Sequence, residues 1–208
     1  MQAIQRLIAK RQQDEPLSFD FFRRVVRVGY APLLKLWGLK VVESRRSTDS
    51  EKLWAVKDDC DCPHLPFDRT IIIVEKTPLG FVVGSPYFAE GVPFPPIWYH
   101  RYRDLAEELS RAFTRCISAF IVASLYCYLT RRGWKDIRHN RWNGHEIFLD
   151  FPDPKEVTIA FNLQDDSPFW AFKIATRAGA TCQLRKRKER PPMKYFRQVE
   201  KMLSLTLL

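Results

Sequence analysis

Apolar positions recur with a helical period in four stretches of this chain and alternate with period two through much of the remainder. At the amino terminus, Arg6 and Lys10 interrupt the apolar residues, so the segment reads as a short amphipathic helix and not as the continuous apolar core of a secretory signal. Phe21, Phe22, Val25 and Val26 form a helical stripe flanked by Arg23, Arg24 and Arg27. Ser18 is the expected N-cap of that helix, and Gly29 and Pro32 break it. The longest predicted helix runs from near Trp98 to Gly133. Leu105, Leu109, Ala112, Phe113 and Cys116 follow helical spacing; Asp104, Glu107 and Glu108 favour its first turns, and Arg131, Arg132 and Gly133 stop it. Its stretch Cys116–Leu129 is almost wholly apolar or small, a run of fourteen. A bilayer needs ~20 such residues, so a buried core helix is expected and no membrane span. The fourth helix runs from Met193 to about Leu205, after Pro191-Pro192.

Between these helices the period is two. Glu43–Ser50 is a polar loop, followed by strands over Lys52–Lys57, Thr70–Lys76 and Gly80–Ser85. The last two are joined by the turn Thr77-Pro78-Leu79-Gly80. Ile71–Val74 is a continuous β-branched run, as a strand buried on both faces requires. Pro86, Pro93, Pro95 and Pro96 punctuate Tyr87–Ile97, which reads as a connection between two halves. Past the long helix, Ile147–Phe151, Glu156–Leu163, Phe169–Thr176 and Ala180–Lys188 form four strands with short turns, hence an antiparallel meander. The expected fold class is α+β: a long buried helix packed on an antiparallel β-meander, with a smaller N-terminal half of helix plus strands. A chain of 208 residues is expected to form one domain, with a subdivision into 1–92 and 97–208.

Composition narrows the function classes. With 46% hydrophobic residues, 13% aromatic residues and only 8 Gly, neither disorder nor collagen-like repetition fits. Five Cys are too few for a disulfide-built scaffold and, being odd in number, agree with reduced thiols and a place in the cytoplasm or nucleus. The net charge of +10 attracts polyanions, of which nucleic acid is the commonest.

Two basic segments carry that attraction. Arg185, Lys186, Arg187, Lys188 and Arg190 cluster at the end of the last predicted strand. Alternation puts Arg185 and Arg187 on one face and Lys186 and Lys188 on the other, with a spacing of roughly 6.5–7 Å that can follow a phosphate backbone. Unpaired buried cations are too costly for a central strand, so this one belongs at an edge. The second segment mixes Arg131, Arg132, Lys135, Arg138 and Arg141 with Trp134 and Trp142, a texture that suits base stacking between phosphate contacts. Cations on an edge strand also guard against aggregation, and a tryptophan is more often a core anchor than a stacking platform.

Metal chemistry is the weaker alternative. Cys60, Cys62 and His64 have the ligand types of a zinc site without its usual spacing. Asp68, Glu75 and Lys76 have the residue types of a Mg²⁺-dependent nuclease. Glu75 and Lys76 are adjacent, however, and alternation sends them to opposite faces. No Gly-rich phosphate loop, Gly-x-Ser-x-Gly elbow or His-Glu-x-x-His helix occurs. The leading expectation is therefore a non-enzymatic nucleic-acid-binding protein, or subunit of a nucleoprotein complex, that needs no cofactor. The alternatives are a nuclease that would need Mg²⁺ and a protein–protein adaptor that docks a partner or a second copy through Tyr87–Tyr99 and Met202–Leu208.

Overall fold

The stripe from Phe21 to Val26 folds as expected. Helix α2 (Phe19–Gly29) is capped by Ser18, whose Oγ accepts the Phe21 amide at 3.3 Å. This geometry comes from a computed structural model, which describes residues 2–10, 17–42, 50–57, 70–94, 102–142, 147–151, 156–163 and 167–207. Helix α1 (Gln2–Ala9) precedes α2, and Gly29 is where the two meet: a Cβ there would lie 2.8 Å from Ile4 Cδ1. Helix α3 (Ala31–Leu36) restarts with Pro32 in its first turn. Replacing Ser18 by Ala removes the side-chain acceptor that caps α2. A thermal melt should register a loss of about 1 kcal/mol.

The chain divides within helix α4 (Tyr102–Arg131), between Ile117 and Ser118, into two compact units. The division does not fall at 92–97, because Phe88–Phe94 is a strand and not a linker.

The first unit holds a sheet of five antiparallel strands in sequential order. They are β1 (Lys40–Val42), β2 (Ser50–Lys57), β3 (Thr70–Thr77), β4 (Gly80–Ser85) and β5 (Phe88–Phe94). The Pro-rich stretch expected to be a connection supplies β5 because it lies at the sheet edge, where a proline's missing N–H takes no bond from an inner ladder. Phe22 packs its ring 5.2 Å from Phe81 and 5.8 Å from Phe94, joining α2 to this sheet. The first half of α4 is tied to the same unit, with Tyr30 Oη donating to the Ser110 carbonyl at 3.0 Å and Cys116 Sγ to the Gly84 carbonyl at 3.1 Å. Burial pushes the Cys116 thiol up to about 12, so it is inert as a nucleophile.

The second unit begins with the rest of α4, buried on nearly every side from Ser118 to Leu129. An 18-residue window of α4 has a mean hydropathy of 1.5, and 72% of it is buried within the protein. The apolar run Cys116–Leu129, too short for a span by itself, lies within a longer helix. By length and composition this helix could cross a bilayer, and its burial is what marks it as a core element. Cys127, on its inner side, is disulfide-bonded, which corrects the reading of all five cysteines as reduced thiols. Disulfides persist in oxidising surroundings, so the cysteines lend no support to a cytoplasmic or nuclear address.

Five strands follow in a second sequential antiparallel sheet, one more than expected: β6 (Arg138–Trp142), β7 (Ile147–Phe151), β8 (Val157–Leu163), β9 (Phe169–Ala175) and β10 (Thr181–Arg187). The sequence concealed β6 because an extra residue, Asn140, interrupts its register between His139 and Arg141 and so breaks the alternation. A 3₁₀ turn (Pro192–Tyr195) leads into α5 (Phe196–Leu207). One face of the sheet is apolar and buried, with Leu149, Phe151, Val157, Ile159, Phe161, Trp170, Phe172, Ile174 and Leu184. Phe172 meets Phe196 of α5 at 6.2 Å, and Trp170 meets Tyr195 at 5.6 Å.

Candidate nucleic-acid interface

The opposite face of the second sheet gathers cations from distant parts of the sequence. Register defines it strand by strand, because directly paired residues share a face. One row across the sheet is Arg138–Asp150–Thr158–Ala175–Thr181. The next is Arg141–Phe148–Ala160–Lys173–Gln183. Asn162, Ala171 and Arg185 continue it, and Phe169 pairs with Arg187 at the far end. Lys173, Gln183, Arg185 and Arg187 are exposed, and so is Arg138. Strands β6 and β10 are the two edges of this sheet. Arg138 and Arg141 therefore hold register positions on the same face as Arg185 and Arg187, four strand spacings (about 19 Å) across the sheet and two to six residues apart along the strands.

Local packing holds the cations in place. The guanidinium of Arg185 lies 4.2 Å from the centroid of the Phe169 ring on the neighbouring strand. The turn after β10 is anchored from below: buried Trp170 donates its indole N–H to the Arg190 carbonyl at 2.7 Å, and the Lys188 amide bonds to the Pro168 carbonyl at 2.9 Å. Edge position and alternation on β10 agree with the sequence reading. Lys186 is on the α5 side with its Nζ 5.2 Å from the Tyr195 ring, and Lys188 is half-buried beyond the strand end. Arg190 is exposed in the turn.

The other members of the second basic segment lie elsewhere. Arg131, Arg132 and Lys135 are exposed at the carboxyl end of α4 and just beyond it. Arg132 is engaged with Glu200, Nε to Oε1, at 3.2 Å. Glu200 also accepts from Tyr128 Oη at 2.9 Å and from Trp134 Nε1 at 3.2 Å. Burial alone would raise its pKa, but the bonds from Tyr128, Trp134 and Arg132 outweigh it and hold the carboxyl below its ordinary value. Trp134 packs edge-on against Phe151 at 5.9 Å, so it is a structural anchor and not a stacking platform. The side chain of Trp142 lies outside the described residues.

For the metal-based candidates, Glu75 and Lys76 are exposed and pair with Val82 and Phe81, on opposite faces of the first sheet. Asp68, Cys60, Cys62 and His64 lie outside the described residues. Among the described residues no group of three or more His, Cys, Asp or Glu could hold a metal ion.

Sequence reasoning missed Lys173, Phe169, Asp150 and Thr158. Their signal was present in the alternation of β9, where Phe169, Ala171 and Lys173 take one face and Trp170, Phe172 and Ile174 the other. Residues 118–208 contain sixteen Lys and Arg against nine Asp and Glu, hence +7 of the chain's +10. No family model, curated protein or solved structure matches this chain.

Proposed function

We propose that the chain binds single-stranded nucleic acid on the open face of its second sheet. The observation that carries this reading is the shared register of Arg138, Arg141, Lys173, Arg185 and Arg187 on one face, with Asp150 the one acidic residue among them. Phosphates pair with the cations, and the Phe169–Arg185 stack offers a flat surface to an unpaired base. Size favours a single strand over a duplex. A major groove is about 12 Å wide and takes a helix or a two-stranded ribbon, whereas a five-stranded face spans about 19 Å and stays outside it. Unpaired bases can instead be splayed across an open sheet.

The test is affinity for a short single-stranded oligonucleotide, by fluorescence anisotropy, as a function of salt. Five phosphate contacts give a log–log slope of roughly −3.5, or about a hundredfold weakening between about 50 and 200 mM salt. A flat dependence would remove phosphate contact as the source of binding.

A further inference from the structure

The first unit has a basic surface of its own, built from helices. On α2, Phe22, Val25 and Val26 are buried, and Phe22 packs on Phe81 and Phe94 of the sheet. At about 3.6 residues per turn, Asp20, Arg24, Arg27 and Val28 fall on the side of the helix opposite Phe22, and all four are exposed. Helix α3 buries Leu34 and exposes Pro32, Lys35 and Leu36. Helix α1 buries Ile4 and Ile8 and exposes Arg6, with Lys10 exposed just past its end. Asp20 is the one acidic residue on these three helices, and it is engaged with Arg23 at 3.2 Å. Arg6, Lys10, Arg24, Arg27 and Lys35 have no ion-pair partner among the described residues. Two large aliphatic side chains stand in the same exposed stripes: Val28, 42% exposed, one turn after Arg24, and Leu36, 59% exposed, next to Lys35.

Cations alone suit any polyanion, and the aliphatic side chains narrow the choice. They have no ring to stack on a base and no group to bond a phosphate. They can enter the boundary between lipid headgroups and acyl chains, while the cations around them hold anionic headgroups. We propose that the outer faces of α2 and α3 dock the first unit on an anionic membrane surface. Arg24, Arg27 and Lys35 meet the headgroups, Val28 and Leu36 enter below them, and Arg6 and Lys10 add to the positive field. The contact is peripheral: the apolar sides of these helices stay in the core, and no segment crosses the bilayer. Each basic side chain held near such a leaflet strengthens adsorption roughly fivefold, less as salt rises. The inference does not rest on the nucleic-acid reading, which concerns the second unit.

The experiment measures sedimentation of the full chain with vesicles of phosphatidylcholine alone and of phosphatidylcholine mixed with phosphatidylserine. The parent should bind the mixed vesicles, more weakly as salt rises, and should not bind the neutral ones. Arg24→Gln combined with Arg27→Gln should weaken that binding about twentyfold. Val28→Thr combined with Leu36→Gln keeps the charge and the approximate size; it should weaken vesicle binding about tenfold and leave oligonucleotide affinity unchanged. All four positions are exposed, so both variants should melt like the parent. Glutamine at Lys173, Arg185 and Arg187 of the second unit is the control, and should cost less than a few-fold. Absence of binding to the mixed vesicles would overturn the inference. So would a loss in the control as large as that in the Arg24 and Arg27 variant, or an affinity indifferent to the Val28 and Leu36 changes. Weakened oligonucleotide binding by the Arg24 and Arg27 variant, with vesicle binding intact, would make this surface a nucleic-acid contact and overturn the membrane assignment.

Discussion

Changing Lys173, Arg185 and Arg187 together to glutamine should weaken single-strand binding about a hundredfold at about 0.1 M salt. Each phosphate interaction removed is worth ~0.7 of a log unit at that concentration, and the salt slope should fall from roughly −3.5 to roughly −1.4. All three side chains are exposed on the open face, so the fold does not depend on them. The triple change also removes the stacking of Arg185 over Phe169, worth about 0.5–1 kcal/mol at an exposed site. A matched control separates position from net charge. Lys186, Lys194 and Arg197 carry the same three charges on the α5 side of the strand, where Lys186 lies over Tyr195. Their replacement by glutamine should cost less than a few-fold and leave most of the slope. If both triple variants weaken binding equally, the attraction is one of overall charge and the face is not a site. If neither does, the strand binds elsewhere.

The contrast between those two triplets was half legible in the sequence. Alternation alone divided Arg185 and Arg187 from Lys186 and Lys188, and the cost of burying cations placed β10 at an edge, where the structure has it. What a single strand cannot reveal is which face of it looks onto the core. That depended on Leu184 being buried and on the register with Trp170 and Phe172. Helices were read well because their signals are local. The Ser18 cap, the break at Gly29 and Pro32 and the stop after Arg131 each depend on a few neighbouring residues. Strands β1, β5 and β6 were missed because their existence is set by partners. Three residues of β1 carry no period of their own, Pro93 disguised an edge strand, and a bulge at Asn140 broke the pattern of β6. The second basic segment is divided between elements in a way the sequence does not show. Arg131 to Arg141 looked continuous along the chain, yet it runs from a helix end, through the Glu200 bonds, to the face of a sheet. Lys173 was overlooked because it is a lone cation in an aromatic strand, and only the neighbouring Arg185 gives it meaning.

Glu200 is where the second unit should be most sensitive to a polar substitution. Its carboxylate, with only 14% of the side chain exposed, is the common acceptor for Tyr128 of α4 and for Arg132 and Trp134 beyond it. Glu200→Ala leaves the half-buried Tyr128 hydroxyl and Trp134 indole N–H without their acceptor, at a cost of about 2–3 kcal/mol, or roughly 5–10 °C in the melting temperature of a chain this size. The Arg132 bond adds little, because that side chain is 60% exposed. Glu200→Gln keeps an acceptor oxygen and should lose about half as much. The pH profile follows from the direction of each shift. Glu200 titrates below its ordinary value of 4.5 in the folded state, so its contribution is complete above that value and is lost as the pH falls through the lower, folded one. Tyr128 behaves oppositely. Burial first, and then its bond to Glu200, raise it above 10.0, so its contribution holds below that value and is lost as the pH climbs through the higher, folded one. Melting temperature should therefore be level between these limits and fall at both ends, and the Glu200→Ala profile should run nearer to flat in acid than the parent's. Parallel acid limbs for parent and variant would show that the carboxylate is not the charged acceptor these bonds require.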